Sequence, residues 1–209
     1  MSDKIIKIEI DGKERFFKEV LEVKEDNEYK MKNVAIVLGH TDGLGLEKDK
    51  GAYSKFFKKT EWYFYNKNID KYKGIADIFT HDSDVTSYTQ RQRLMAEKTK
   101  NYELVFELHF NSYNTTVNGC EAKHYITNKK TKNSATLYCK LVSEKMGIKN
   151  RGAKPMKSTD RGTEFIRFTK GGAIILEPFY GDNDSDCEKF DHDTHVEIIK
   201  EVIDNYFKK

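Results

Sequence analysis

Proline and tryptophan are nearly missing from this chain: two prolines and one tryptophan in 209 residues. There is no low-complexity segment and no internal repeat, so nothing in the composition calls for a second domain. Cysteine is scarce too. Cys120, Cys139 and Cys187 form no CxxC pair and are odd in number, which argues against a disulfide framework and for single thiols. No apolar run approaches the ~20 residues of a membrane-spanning helix, so no membrane insertion is expected. An excess of one charge is also absent, with 37 Lys+Arg against 34 Asp+Glu. A nucleic-acid binder gathers basic excess on one face, and no nucleic-acid partner is expected here. The opening "MSDKIIKIEIDGKERFF" lacks the apolar core of a secretory signal. The expectation is synthesis in the cytoplasm with no export signal. Oligomeric state is left open.

What is present is globular: 37% hydrophobic and 12% aromatic residues in a length suited to one domain. "KIIKIEI" and "KERFFKEV" alternate around Asp11–Gly12, the pattern of a β-hairpin. Residues 1–33 read as an N-terminal appendage of this kind, and residues 34–209 as the main domain. "VAIVLGH" (Val34–His40) and "YELVFELHFN" (ending at Asn111) are apolar runs expected of strands buried on both faces. "ADIF" and "GCEAKHYIT" are further strand candidates, as are "TEFIRFT" and "AIILEPFY" on either side of Lys170–Gly171–Gly172. "YTQRQRLMAEKTKNY" has the composition of a helix, "SATLYCKLVSEKMG" is amphipathic and stops at Gly147, and "HVEIIKEVIDNYFKK" has helical spacing. The aromatic stretch before Ile75 is a helix or a loop feeding one. Strands alternating with helices predict an α/β domain with a mostly parallel sheet.

Three of the apolar strands end in a residue able to bind a metal or move a proton: His40, His109 and Glu177. Ligands of open α/β sheets sit outside the carboxyl ends of the strands, so these ends are expected to share one site. Two histidines do not make a stable zinc site, because catalytic zinc takes three protein ligands and keeps one position open. Glu61, first residue of the element that returns to the sheet after the Gly-rich loop, fits as the third. An acid favoured by a helix N-terminus is the plainer reading of the same residue. Glu47, in that loop, and Glu107, two residues before His109 and so on the same strand face, are its rivals. Zinc suits a His₂Glu set best, and manganese or cobalt would also fit.

The combination "VAIVLGHTDGLG", "TEWYFYN", "HDSDVTSYTQRQRLMAEKTKNYELVFELHFNS" and "AIILEPFYGDN" resembles the zinc-dependent N-acetylmuramoyl-L-alanine amidases. In that family a strand ends in Gly-His and a Glu begins the first helix. A strand ends in His-x-Asn, and the last strand ends in Glu. The likeness runs from about Asn33 to the C-terminus. It implies a three-layer α/β fold, a twisted, mostly parallel central sheet flanked by helices, as in other hydrolases of that type. It also implies one zinc ion held by His40, Glu61 and His109, with Glu177 as the catalytic carboxylate and Asn111 lining the cleft. The substrate would be bacterial peptidoglycan, cut at the amide between the lactyl group of N-acetylmuramic acid and L-alanine. A catalytic domain without export signal resembles a bacteriophage endolysin, which acts on the wall after release.

The chain departs from the family pattern in places. Thr41 follows His40 where Gly is common, Glu107 stands where a small residue is usual, and His81 begins the segment that reads "RDSD" in the family. Arg167 matches a basic residue often found one strand before the catalytic Glu, and is the candidate for holding a stem-peptide carboxylate. Arg151 and Lys154 read as loop charges, and His124 as a surface histidine. His192 and His195 sit in an acidic loop entering the last helix and are not expected to bind metal. The alternatives to an amidase are a zinc carboxypeptidase-like enzyme, for which Arg167 would fix the terminal carboxylate, and a non-catalytic wall-binding or phage structural protein.

Overall fold

The computed structural model describes residues 5–10, 13–18, 33–42, 49–82, 85, 87–160, 163–169 and 172–208. Glu47 lies outside them. In chain order the strands are β1 (Ile5–Ile10), β2 (Lys13–Lys18), β3 (Val34–Leu38), β4 (Tyr53–Ser54) and β5 (Lys59–Thr60). They continue with β6 (Asp77–Phe79), β7 (Leu104–Leu108), β8 (Cys120–Tyr125), β9 (Asn150–Met156) and β10 (Ala173–Glu177). The α-helices are α1 (Glu61–Asn66), α2 (Tyr88–Lys98), α3 (Lys129–Met146), α4 (Thr163–Phe168), α5 (Asp184–Lys189) and α6 (His192–Phe207). Strands β1 and β2 pair antiparallel, with Ile10 opposite Lys13; the Asp11–Gly12 turn expected between them is outside the described residues.

Six strands form the central sheet in the order β6-β3-β7-β10-β8-β9. All neighbours run parallel except β10 and β8. Its middle is β3, β7 and β10, every residue of which is buried, as runs rich in Val, Ile, Leu and Phe, interrupted in β7 by Glu107, lead one to expect. One face packs against α1, α3 and α6 through Ile36, Phe106, Leu176, Tyr138, Val142 and Ile199. The other packs against α2 and α4 through Val37, Val105, Ile175, Met95, Phe165 and Ile166. Burying one such Ile or Phe side chain contributes roughly 1.5–3 kcal/mol. The result is the three-layer α/β arrangement expected from the sequence.

The long helices stop where their sequences say. Helix α3 starts at Asn128, whose side chain accepts from the Thr131 N–H, and ends at Gly147 in the left-handed conformation (φ 68). Helix α6 is capped by Asp191, which accepts from Thr194 N–H. No helix among the described residues is long and apolar enough to cross a membrane. The three cysteines are free and buried.

Two elements differ from the sequence reading. Thr163–Phe168 is helix α4, not a strand: Phe165 and Ile166 are adjacent and both buried in the same cluster, which alternating strand geometry does not allow on one face. The stretch holding Arg151 and Lys154 is strand β9, not a loop.

A single row of side chains crosses the whole sheet. Phe79, Val37, Glu107, Ile175, Lys123 and Lys154 are successive register partners from β6 to β9. They therefore stand on one face, that of α2 and α4, with Glu107, Lys123 and Lys154 as its charged members among apolar neighbours.

Candidate active site

The carboxyl ends of β3, β7 and β10 meet at one edge of the sheet and carry His40, His109 and Glu177 there. Between Leu38 and His40 only glycine fits: a Cβ on Gly39 would lie 2.1 Å from His109 Nε2. The His40 and His109 rings meet edge to face, centroids 4.8 Å apart. Glu61 opens α1 and turns its carboxylate between them. Its Oε2 is 2.9 Å from His40 Nε2 and its Oε1 is 3.4 Å from His109 Nδ1. One ligand atom from each of His40, Glu61 and His109 falls within 4.8 Å of the others, a set able to hold one metal ion.

The trio is held from behind. Glu61 Oε2 accepts the Ala52 N–H at 2.7 Å and Oε1 accepts the Phe110 N–H at 2.9 Å. The Tyr65 hydroxyl donates to the His109 carbonyl at 2.7 Å. Asp49 Oδ1 stands 3.6 Å from His40 Nδ1, beyond hydrogen-bond distance, and Asp49 pairs on its other side with Arg91 of α2, so a carboxylate faces the imidazole at ion-pair distance. On the far side of His109, Glu107 Oε2 is 3.5 Å from Nε2, and Glu107 Oε1 is 3.5 Å from His81 Nε2. Glu107 thus touches one histidine of the trio, whereas Glu61 touches both.

Charge in this cluster is unusual. Burial opposes a charged imidazole, yet Glu107 and Glu61 outweigh it and hold His109 up at about 10. Against the same burial, Asp49 and Glu61 raise His40. Burial opposes charged carboxylates as well, but the histidines keep Glu61 well below the usual range and Glu107 down at about 2. Buried carboxylates here demand positive charge, and imidazole protons supply it. A divalent cation meets the same demand by displacing those protons. The donor set, the carboxylate facing His40 and the glycine cradle all fit such an ion.

Glu177 stands across a cavity of about 390 Å³ that the trio also lines. Its Oε2 accepts from Asn111 Nδ2 at 2.7 Å and its Oε1 from Lys123 Nζ at 2.6 Å. The cavity lining includes Tyr88 and Met156. It does not include Arg167, which lies exposed on α4. His124 is buried rather than superficial, its Nδ1 lying 3.0 Å from the Tyr125 carbonyl oxygen. His195 is fully buried between the hydroxyls of Tyr72 (2.8 Å) and Tyr138 (2.6 Å), and Tyr72 also meets His192 at 3.0 Å. Those two histidines serve the core.

Sequence reasoning passed over Asp49, Gly51 and Lys123. Gly51 had a signal, being in a Gly-rich loop. Its φ of +80 and a hypothetical Cβ 2.2 Å from Glu61 Oε2 mark it as part of the cradle.

No curated protein sequence matches the chain. Among solved structures it is similar to the catalytic domain of the CD27L endolysin targeting Clostridia difficile, at 22% identity and a TM-score of 0.67 over 82% of this chain and 96% of that one. It is similar also to the catalytic domain of CwlV, an N-acetylmuramoyl-L-alanine amidase from Bacillus (Paenibacillus) polymyxa var. colistinus, at 23% identity and a TM-score of 0.59 over 82% and 93% of the two chains. Cwp6 from Clostridium difficile shares 24% identity, with a TM-score of 0.62 over 85% of this chain and 29% of that one. At these identities the likeness concerns the fold. The N-acetylmuramoyl-L-alanine amidase family model, however, matches residues 34–205, and the chain belongs to that family.

Proposed function

We propose that the protein is a zinc-dependent N-acetylmuramoyl-L-alanine amidase acting on bacterial peptidoglycan. The observation that carries this reading is the opening of His40, Glu61, His109 and Glu177 onto one cavity. His40, Glu61 and His109 would hold the ion. Zinc so held supplies Lewis acidity toward the amide carbonyl and the attacking water.

The chain's own groups do the rest. Glu177, outside the ligand trio, takes a proton from the attacking water as the new C–O bond forms. It then delivers that proton to the alanine nitrogen as the C–N bond breaks, leaving a lactyl carboxylate and a free amino terminus. Asn111 fixes the Glu177 carboxylate for both transfers. Asp49 and Glu107 face the two imidazoles. In this reading residues 34–209 are the catalytic domain and residues 1–33 an appendage. The physiological role is that of an endolysin, made in the cytoplasm and acting on the wall after release.

The test is hydrolysis of purified peptidoglycan by wild type, by Glu177→Gln, and by chelated protein before and after zinc is restored. New L-alanine amino termini without new reducing ends, lost in Glu177→Gln and on chelation, are expected. Release of C-terminal residues from free peptides would replace this reading by a carboxypeptidase. Zinc binding without hydrolysis of any wall type would replace it by a binding protein. Lysis on co-expression with a membrane pore tests the endolysin role.

A further inference from the structure

Both oxygens of the Glu177 carboxylate are engaged, but by donors held in different ways. Asn111 is fixed by its backbone: its N–H donates to the Phe179 carbonyl at 2.9 Å and its carbonyl accepts from Gly181 N–H at 2.7 Å. Its Oδ1 accepts from the Ser112 N–H at 3.0 Å. Lys123 comes from the middle of β8, level with Ile175, and reaches along the sheet to the edge on its long stem. Its side chain is 32% exposed, against 9% for Glu177, and it lines the cavity.

An ammonium carries three N–H donors, and Glu177 is the one carboxylate within ion-pair distance of Lys123 among the described residues. Lys154, the next position on the same row, has no acidic partner among the described residues. Lys123 lines the cavity, and Lys154, one strand further from Glu177 and outside the lining, adds positive charge behind it. Such a surplus suits an anionic group on the substrate.

We propose that Lys123 recognises a free carboxylate on the stem peptide, passing from Glu177 to the substrate as it binds. This rests on the amidase reading. In peptidoglycan the residue after L-alanine is a γ-linked D-glutamate whose α-carboxyl is either free or amidated. It lies one residue beyond the scissile amide, a span of ~3.5 Å, so a group touching Glu177 is within its reach. Transfer of the ammonium to that carboxylate also frees Glu177 Oε1 to receive the proton of the attacking water. Lys123 is in this account a specificity-determining residue, distinguishing acidic from amidated stem peptides.

The experiment is calorimetric titration of wild type, Lys123→Met and Lys123→Arg with two tripeptides. These are L-alanyl-γ-D-glutamyl-L-lysine and its α-carboxamide counterpart, which differ in that one group. Wild type is expected to bind the acid at least about tenfold more tightly, the scale of one charge-assisted hydrogen bond. Lys123→Met brings the two peptides to equal affinity, and Lys123→Arg keeps the preference. Equal binding by wild type overturns the proposal without reliance on any variant, and so does equal weakening of both peptides in Lys123→Met. Selective binding without release of alanine amino termini from peptidoglycan keeps the role of Lys123 and sinks the amidase reading. Hydrolysis with equal peptide binding does the reverse.

Discussion

The carboxylate of Glu61 accepts the Phe110 N–H at 2.9 Å, tying the first residue of a helix to the residue after His109. A second backbone donor, Ala52 N–H, lies 2.7 Å from the other oxygen. Glu61→Gln keeps the shape but turns one acceptor into a donor, which leaves one of these N–H groups unsatisfied. A loss of about 1–3 kcal/mol in stability is expected, with a fall in bound zinc. Chemical denaturation and metal analysis of the purified variant check both; full zinc content would mean that Glu61 is not a ligand.

Gly51→Ala should be worse than its size suggests. At φ +80 the added Cβ would run into Glu61 Oε2 and lie 2.6 Å from His40 Cδ2, so both backbone strain and displacement of two of the proposed ligands result. We expect zinc affinity to drop at least tenfold while far-UV circular dichroism stays native. Unchanged affinity by competition with a chelating dye would contradict the cradle.

The stability of chelated protein should depend on pH in a direction set by His109. Its folded pKa, about 10, lies above the unfolded value of about 6.5. The stabilisation is complete below about 6.5 and is lost as pH rises toward about 10. Melting temperatures of chelated protein are expected to fall through that window, and added zinc to restore them, since metal binding strengthens as protons leave. Calorimetry at pH 7.5 in buffers of different ionisation enthalpy should show proton release on zinc binding.

His195 sets an opposite slope at acid pH. Burial pushes it down to about 3, so the unfolded chain takes its proton first as pH falls from about 6.5. Stability is then lost between about 6.5 and about 3, by at most about 1.4 kcal/mol per unit. Urea unfolding at pH 7, 5.5 and 4.5 should show this decline. His195→Leu, which takes the Tyr138 hydroxyl's partner away and leaves Tyr72 with His192 alone, should start less stable and decline less steeply.

Much of the arrangement is legible in the residues themselves. Strands β3, β7 and β10 announce themselves because burial on both faces demands mostly apolar runs, and a His or Glu closing such a run stands out. Glu61 is visible because it opens a helix after a glycine-rich stretch. What stays hidden depends on pairing. Lys123 is one lysine among many until β8 is known to run against β10, and strand direction leaves no mark on composition. Strand β9 reads as a loop because an edge strand carrying Gly152, Lys154 and Pro155 lacks an apolar side. In α4, Phe165 and Ile166 have strand-forming residue types, but their neighbours in space bury both together, which favours a helix.

The two edges of the central sheet limit how a substrate can be gripped. Strand β6 has three residues. On β9, Pro155 has no N–H to offer and Gly152, at φ 82, breaks the extended run. Neither border can template an added strand. A peptide approaching the central sheet finds no ladder of backbone hydrogen bonds to join at either border. A peptide held at the carboxyl ends of these strands is gripped by its ends, its carbonyls and its charges, and its direction of approach is not dictated by the sheet.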